Sequence, residues 1–342
     1  MKPTIEGETN VLSCRFGRGA ADGLGKEIGR FIVTTMEIPW NLSKDRIGGT
    51  AEKVVHCQTM EIDWVDRELA SLPSFDTVLA VGGGQAIDLG KYFAWKTGKR
   101  LVSVPTILSV DAFVTPASAI RKNHQVEYVG VASPDPLVID YDLLRLAPNE
   151  LNIAGVGDLL SNHTACKDWE IAHAVGKSEF PFKPESIDIG RDILKKIMDH
   201  TDDIRQCTDE GLQAIVDGYM RLNTVCLPNG HYRIEEGSEH YLFYELEERL
   251  GRPFIHGWIV GLGVYCMSRL QDNHGDEVTD FMKRVGLKYD PQVMEIKRDD
   301  LRAALLNLKA FVESRPKLWY TVINEKPIEP TWVDTILAGL VF

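Results

Sequence analysis

Short apolar runs alternate with helical patterns over the first part of the chain. Phe31–Thr35, Lys53–Cys57, Thr77–Val81, Arg100–Val104 and Leu137–Asp140 each read as strands, rich in Val, Ile and Leu. Between them, Gly23–Arg30, Ile62–Leu72 and Ala86–Thr97 carry apolar positions at helical spacing. That alternation predicts a parallel sheet with crossover helices. From Ala147 onward the period changes, and nearly every segment repeats at three and four residues, as in Ser186–His200, Asp209–Leu222 and Asp299–Val312. The expected fold class is therefore α/β plus all-α, a parallel-sheet domain over residues 1–146 followed by a helical domain over 147–342. Pro148 marks the boundary as a helix-start proline after the last strand. Phe180–Pro184 and Asn229-Gly230 read as connections.

Size agrees with two domains, because 342 residues exceed what one hydrophobic core usually serves. The formal charge of -12 repels phosphate backbones, which excludes nucleic acid as a first partner but leaves room for a local pocket. No apolar run reaches the roughly 18 residues of a spanning helix, and Met1 to Asn10 is too polar for a signal-peptide core, so no membrane is expected. Six cysteines without a C-x-x-C pair read as buried thiols of a reducing compartment, and the chain is expected to be cytoplasmic.

Two segments carry candidate chemistry at strand ends. Val78–Lys91 runs an apolar strand into Gly82, Gly83 and Gly84, then into a helix beginning near Gln85. Glycines there let a ligand approach the backbone, and free N–H groups at a helix start hold a pyrophosphate. A tight strand-to-helix turn without a ligand is the plain alternative. The motif is not G-x-G-x-x-G. After the next strand, Thr106, Ser109 and Asp111 fall at the carboxyl edge of the sheet, where open parallel sheets bind ligands. Satisfying loop backbone is their alternative role.

In the helical half, Ala154–Asp158 opens onto one carboxylate, while Gly237–His240 and His256-Gly257 add two imidazoles sixteen positions apart. One carboxylate and two imidazoles leave an open coordination position, the pattern of a catalytic divalent metal. Zinc suits this set first and ferrous iron second. On spacing alone, ordinary hydrogen-bonding histidines explain these residues as well.

The order of the motifs adds what spacing lacks. Val81–Gly84, Pro105–Asp111, Ala154–Asp158, Asp168-Trp169, Gly237–His240, His256-Gly257 and a final Arg315–Ile323 follow one another along the chain. This series resembles the superfamily of iron-containing alcohol dehydrogenases, glycerol dehydrogenases and dehydroquinate synthases, and within it the sn-glycerol-1-phosphate dehydrogenase branch most. The resemblance implies a dinucleotide-binding first domain and a metal-binding second one, with NAD or NADP and one divalent metal as cofactors. It implies that Gly83, Gly84, Gln85 and Ala86 hold the pyrophosphate, and that Thr106, Ser109 and Thr115 line nicotinamide and ribose. Asp158, His240 and His256 become the metal ligands; Asp111, Asp158 and Tyr244 face the substrate, and catalysis falls to Asp111, Asp158, His240 and His256. A small-molecule substrate and a homo-oligomer are expected.

Four positions depart from that branch: Ser109–Ala112 before and after the substrate aspartate, Asn162 where a lysine is frequent, Tyr244 where a second histidine follows, and Trp258 after His-Gly. The expected activity is hydride transfer between a nicotinamide and a small polyol, polyol phosphate or related hydroxy or keto compound, with the metal a Lewis acid and Asp111 orienting the substrate. Glu37, after the first strand, favours a ribose 2′-hydroxyl, and NAD against NADP stays open. A cyclase of the dehydroquinate-synthase kind is the alternative, although Val110–Ala117 lacks that family's Gly-Gly-Lys. A non-catalytic protein that keeps the fold is the other.

Overall fold

The structure is a computed structural model that describes residues 7–123 and 125–342. The first six residues, part of the segment judged too polar for a leader, lie outside the described residues. The chain divides into two compact units, Met1–Asn152 and Ile153–Phe342.

The first unit is built on a six-stranded parallel sheet of β1 (Cys14–Gly17), β2 (Phe31–Thr35), β3 (Lys53–His56), β4 (Thr77–Gly82), β5 (Arg100–Pro105) and β8 (Pro134–Asp140). Its order is β1-β8-β5-β4-β2-β3, with a separate antiparallel hairpin of β6 (Ser118–Lys122) and β7 (Gln125–Val129). The helices here are α1 (Leu24–Glu27), α2 (Glu37–Ile47), α3 (Ile62–Ala70), α4 (Gly84–Thr97) and α5 (Tyr141–Leu144). Because side chains alternate along strands, one sheet face contributes Phe31, Val33, Leu79, Val81, Val102, Val104 and Val138 to a core with Leu24, Ile28 and Ile47. The other face is cut low for α4: a Cβ on Gly90 would come within 2.6 Å of Ala80 and 2.8 Å of Thr34. Small residues at Thr34, Ala80 and Gly90 thus let α4 lie close on the sheet. The connection from β2 runs outward to β3, whereas that from β4 runs the other way to β5. The strand ends at β2 and β4 are therefore a switch point, where open sheets of this kind bind ligands.

The helix α6 (Asn149–Leu159) spans the division, with Pro148 immediately before it. The second unit continues with α7 (Ser161–Ala174), α8 (Pro184–Asp199), α9 (Thr201–Arg205), α10 (Asp209–Asn229), α11 (Ser238–Leu250), α12 (His256–Leu270), α13 (Gly275–Val285), α14 (Arg298–Glu313), α15 (Val322–Glu325) and α16 (Pro330–Ala338). All six cysteines are buried thiols outside any disulfide. No helix among the described residues is long and apolar enough to cross a membrane.

Candidate metal centre

Backbone packing comes first in the second unit. Helices α6 and α12 cross where neither has a side chain: a Cβ on Gly157 would lie 1.9 Å from the Gly257 carbonyl oxygen, and one on Gly257 only 1.7 Å from that of Ala154. Helix α12 meets α11 the same way, since a Cβ on Gly263 would sit 2.4 Å from the Glu239 carbonyl oxygen. These glycines give up helix propensity for proximity. What the proximity yields is a meeting of Asp158, near the C-terminal end of α6, with His256, the first residue of α12, and His240, in the first turn of α11.

The three side chains converge. Asp158 Oδ1 lies 3.0 Å from His256 Nε2 and 3.8 Å from His240 Nε2. The two Nε2 atoms are 3.3 Å apart. One donor atom from each residue falls within 4.8 Å of the others. Two imidazole nitrogens and a carboxylate oxygen turn their donor atoms toward one another, the other ring nitrogen of His240 being already bonded to Glu239. The donor set thus fits a divalent metal of the zinc or iron kind.

Neighbouring groups fix two of the three donors. Glu239 Oε1 accepts from His240 Nδ1 at 2.9 Å and from the Gly237 amide at 2.7 Å, and its Oε2 accepts from the Thr164 hydroxyl at 2.6 Å. That leaves His240 Nε2 aimed inward, the carboxylate–histidine–metal arrangement. Tyr219 donates to Asp158 Oδ2 at 3.0 Å. Burial works against charge on His240, yet the hydrogen bond and charge of Glu239, with Glu236 and Asp158, outweigh it and bring its pKa up to about 9. For Asp158, burial raises the pKa, but His256, His240 and Tyr219 together hold it below the usual carboxylate range.

The start of α11 is tied in turn to the C-terminal segment. Asp168 accepts the Ser238 amide on Oδ2 and the Val322 amide on Oδ1, both at 2.8 Å. Burial and the nearby Glu239 charge raise its pKa to about 6. Arg233, fully buried, donates to the Tyr320 carbonyl and lies over the Trp319 ring. The Tyr241 hydroxyl takes the Trp319 amide at 2.7 Å. The motif Asp168-Trp169 and the segment Arg315–Ile323 therefore position α11, and Trp169 is wholly buried.

In the first unit, Gly82 has φ +147, the extended-to-left-handed backbone that glycine adopts freely, and Gly83 caps α4 with no side chain on its amides. A Cβ on Gly83 would meet Ile107 at 2.8 Å, and one on Gly84 would meet Val110 at 2.7 Å. The Thr106 amide donates to the Gly82 carbonyl at 3.0 Å. Gly83, Gly84, Gln85 and Ala86 thus lie beside the loop that carries Thr106 and Ser109, both buried. Asp111 opens a short 3₁₀ turn, Asp111–Phe113. Thr115 is held from beneath by Lys91, whose ammonium reaches its carbonyl at 3.3 Å, the Ala117 carbonyl at 2.5 Å and the Asp88 carboxylate at 2.7 Å. Glu37 is the first residue of α2, directly after β2 and Met36.

Asn162 packs at a helix contact: its amide donates to the Leu159 carbonyl at 3.0 Å, and its oxygen sits where a Cβ on Gly190 of α8 would come within 3.1 Å. A lysine would not fit there without moving α8. The acidic run Glu245–Arg249 has the composition of a solvated helix face, yet Glu245 and Glu247 are buried, and Glu245 is bound by Arg249 and Asn307. Tyr244 lies one turn beyond His240, ring centroids 6.4 Å apart, and donates to Glu236. No motif marks Glu235, a buried residue whose carboxylate oxygen lies within 4.8 Å of that of Asp158. Nor does any mark Glu239 as the partner of His240; its place directly before a candidate ligand was the available signal.

Known proteins resemble this chain in sequence and in fold. Residues 33–148 match the family described as iron-containing alcohol dehydrogenase. A glycerol-1-phosphate dehydrogenase [NAD(P)+] of Hyperthermus butylicus is 26% identical over 330 residues, spanning 92% of each chain. Its counterpart from Thermococcus kodakarensis is 30% identical over 224 residues, covering 64% of this chain and 63% of its own. A crystal structure of a probable glycerol dehydrogenase from Sinorhizobium meliloti shares the fold with a TM-score of 0.69 at 23% identity, covering 96% of both chains. In sequence the chain is thus similar to glycerol-1-phosphate dehydrogenases, its residues 33–148 match the iron-containing alcohol dehydrogenase family, and its fold is that of a glycerol dehydrogenase structure.

Proposed function

We propose that this metal-dependent, NAD(P)-linked oxidoreductase moves hydride between the nicotinamide ring and the carbinol or carbonyl carbon of a small polyol, polyol phosphate or related hydroxy compound. The observation that carries the reading is the convergence of Asp158, His240 and His256 donor atoms within 4.8 Å. Asp158, His240 and His256 would hold a divalent cation, which would supply Lewis-acid chemistry toward a substrate oxygen.

The residues do the remaining work. Glu239 keeps the His240 ring in the tautomer that presents Nε2, and Tyr219 orients Asp158. The amides after Gly83 receive a pyrophosphate, with Gln85 and Ala86 in the first turn of α4, while Thr106, Ser109 and Thr115 line the ribose and nicotinamide. Lys91 keeps Thr115 and the adjoining Asp111 turn in place. Asp111 and Tyr244 orient the substrate, Asp111 also serving the proton leaving its hydroxyl. The domain roles divide accordingly, dinucleotide in residues 1–146 and metal in 147–342. A cytoplasmic homo-oligomer is the assembly proposed, the location supported by the six thiols outside any disulfide.

An oxidation screen of NADH and NADPH with dihydroxyacetone, dihydroxyacetone phosphate, glyceraldehyde and larger ketoses, run with zinc and then ferrous iron, tests this. Metal-dependent loss of the reduced-cofactor absorbance is expected. Turnover of substrate without net cofactor change would instead indicate the cyclase, and a protein that never retains a divalent ion would indicate a non-catalytic role.

A further inference from the structure

We propose that Phe243 is the positioning residue of His256: its ring, in place of a polar partner, keeps that imidazole turned toward Asp158 and His240 and so sets how tightly the divalent ion is held. The inference rests on the metal-dependent reading of the site.

The three donors are not held alike. His240 has its Nδ1 bonded to Glu239 at 2.9 Å, and Asp158 has its Oδ2 bonded by Tyr219 at 3.0 Å. A ligating histidine ordinarily passes its second ring nitrogen to such a partner, which fixes both tautomer and orientation. His256 lacks one: among the described residues no polar group bonds its Nδ1. Its side chain is also the most open of the three, 19% exposed against 6% for His240 and 2% for Asp158. As the first residue of α12, it has no preceding turn of that helix to restrict its rotamer. Left to itself the ring has three staggered wells at χ1 and about two orientations at χ2, so one of about six combinations aims Nε2 at Asp158.

Phe243 supplies the missing restraint. It lies three residues beyond His240 on α11, so the two side chains share one face of that helix. Its ring is buried and stands perpendicular to that of His256, with centroids 5.1 Å apart and planes at 89°. Edge-to-face is a favoured arrangement of two aromatic rings. The same ring has the His240 ring 6.4 Å away and the Tyr244 ring 5.0 Å away. Hemmed in on those sides, it cannot yield to a swing of the imidazole without repacking its neighbours. Shape thus does for His256 what a hydrogen bond does for His240. Were the restraint lost, the liganding orientation would fall to about one sixth of the population, and the apparent ion affinity would drop by the same factor, about sixfold. That is less than the tenfold or more that goes with losing a polar partner such as Glu239.

The test titrates metal-free wild type, Phe243→Leu and Leu246→Ala with zinc in competition with a chromophoric chelator. Leu246 is wholly buried further along α11 and about a third of a turn away around the helix, so its truncation gauges lost stability without lost positioning. Zinc affinity should fall about sixfold in Phe243→Leu and less than about twofold in Leu246→Ala. With histidines labelled with carbon-13 at Cε1, nuclear relaxation of His256 in the metal-free protein should report faster ring motion in Phe243→Leu alone. Equal zinc affinity in Phe243→Leu and wild type, or an equal fall in both variants, overturns the proposal. If Phe243→Leu does not fold, Phe243→Met, unbranched and apolar, takes its place. Should the wild type take up neither zinc nor ferrous iron, the metal-dependent reading falls by itself. The relaxation comparison then decides the role of Phe243: faster motion of His256 in the variant supports it, and unchanged motion overturns it.

Discussion

At the end of β4 the first unit offers backbone: three glycines and the unoccupied amides of a helix start, with hydroxyls from the next loop beside them. At the crossing of α6, α11 and α12 the second unit offers only side chains, two imidazoles and a carboxylate, with Glu239 bracing His240 and Tyr219 bracing Asp158. Glycine occurs at both places for different reasons. In the first unit its lack of Cβ leaves room at the turn itself, whereas in the second it lets helix backbones touch so that residues next to the glycines can meet. The first arrangement tolerates a change in nearly any side chain that leaves the turn open. The second fails with the loss of one.

The sharpest way to break that contrast is His256→Ala. Metal affinity should fall by more than the roughly 100-fold typical of losing a group that merely supports a ligand, and turnover should vanish with it. NADH binding, followed by fluorescence titration, should persist with the sheet unit folded. Unchanged metal content and activity would remove the site. Glycine substitutions come next. Gly157→Ala places a Cβ 1.9 Å from a backbone oxygen and should destabilise the second unit by about 3 kcal/mol or more in denaturant unfolding. Gly83→Ala meets only the tip of Ile107, so it should cost about 1 kcal/mol while weakening dinucleotide binding about tenfold. The reverse ranking would dissolve the distinction between the units. An effect that appears only as pH changes concerns Asp168, whose pKa is raised to about 6 by burial and Glu239. A carboxyl raised on folding favours the native state while protonated, so its contribution is present below about pH 4 and lost as pH rises through 6. Stability of wild type relative to Asp168→Asn should therefore decline over that window by on the order of 1 to 3 kcal/mol, as read from paired urea melts. A difference flat with pH would show that Asp168 ionises normally.

Five of the six sheet strands were legible because buried parallel strands are continuous apolar runs. The sixth, β1, was not: Cys14-Arg-Phe-Gly17 is a short edge strand with a charged residue, too brief for periodicity to register. The β6–β7 hairpin escaped for the opposite reason. It alternates, but with Arg121, Lys122, Gln125 and Glu127 on a partly exposed ribbon that no apolar face announces. At the metal centre the three ligands could be named from motif order, yet nothing local says that positions 158, 240 and 256 meet. That depends on Gly157, Gly257 and Gly263, whose meaning appears only when the helices are crossed. The burial of Glu245, within an acidic run, was hidden likewise, since its partners Arg249 and Asn307 come from its own helix and from α14.

The contact of Gly157 with Gly257 has one last consequence. Two helices that touch backbone to backbone have no cushion of flexible atoms to absorb breathing, so Asp158 and His256 cannot drift apart by small degrees. On heating, ion release and collapse of the helical unit should coincide in a single cooperative event, with no loosened, still-folded form preceding it.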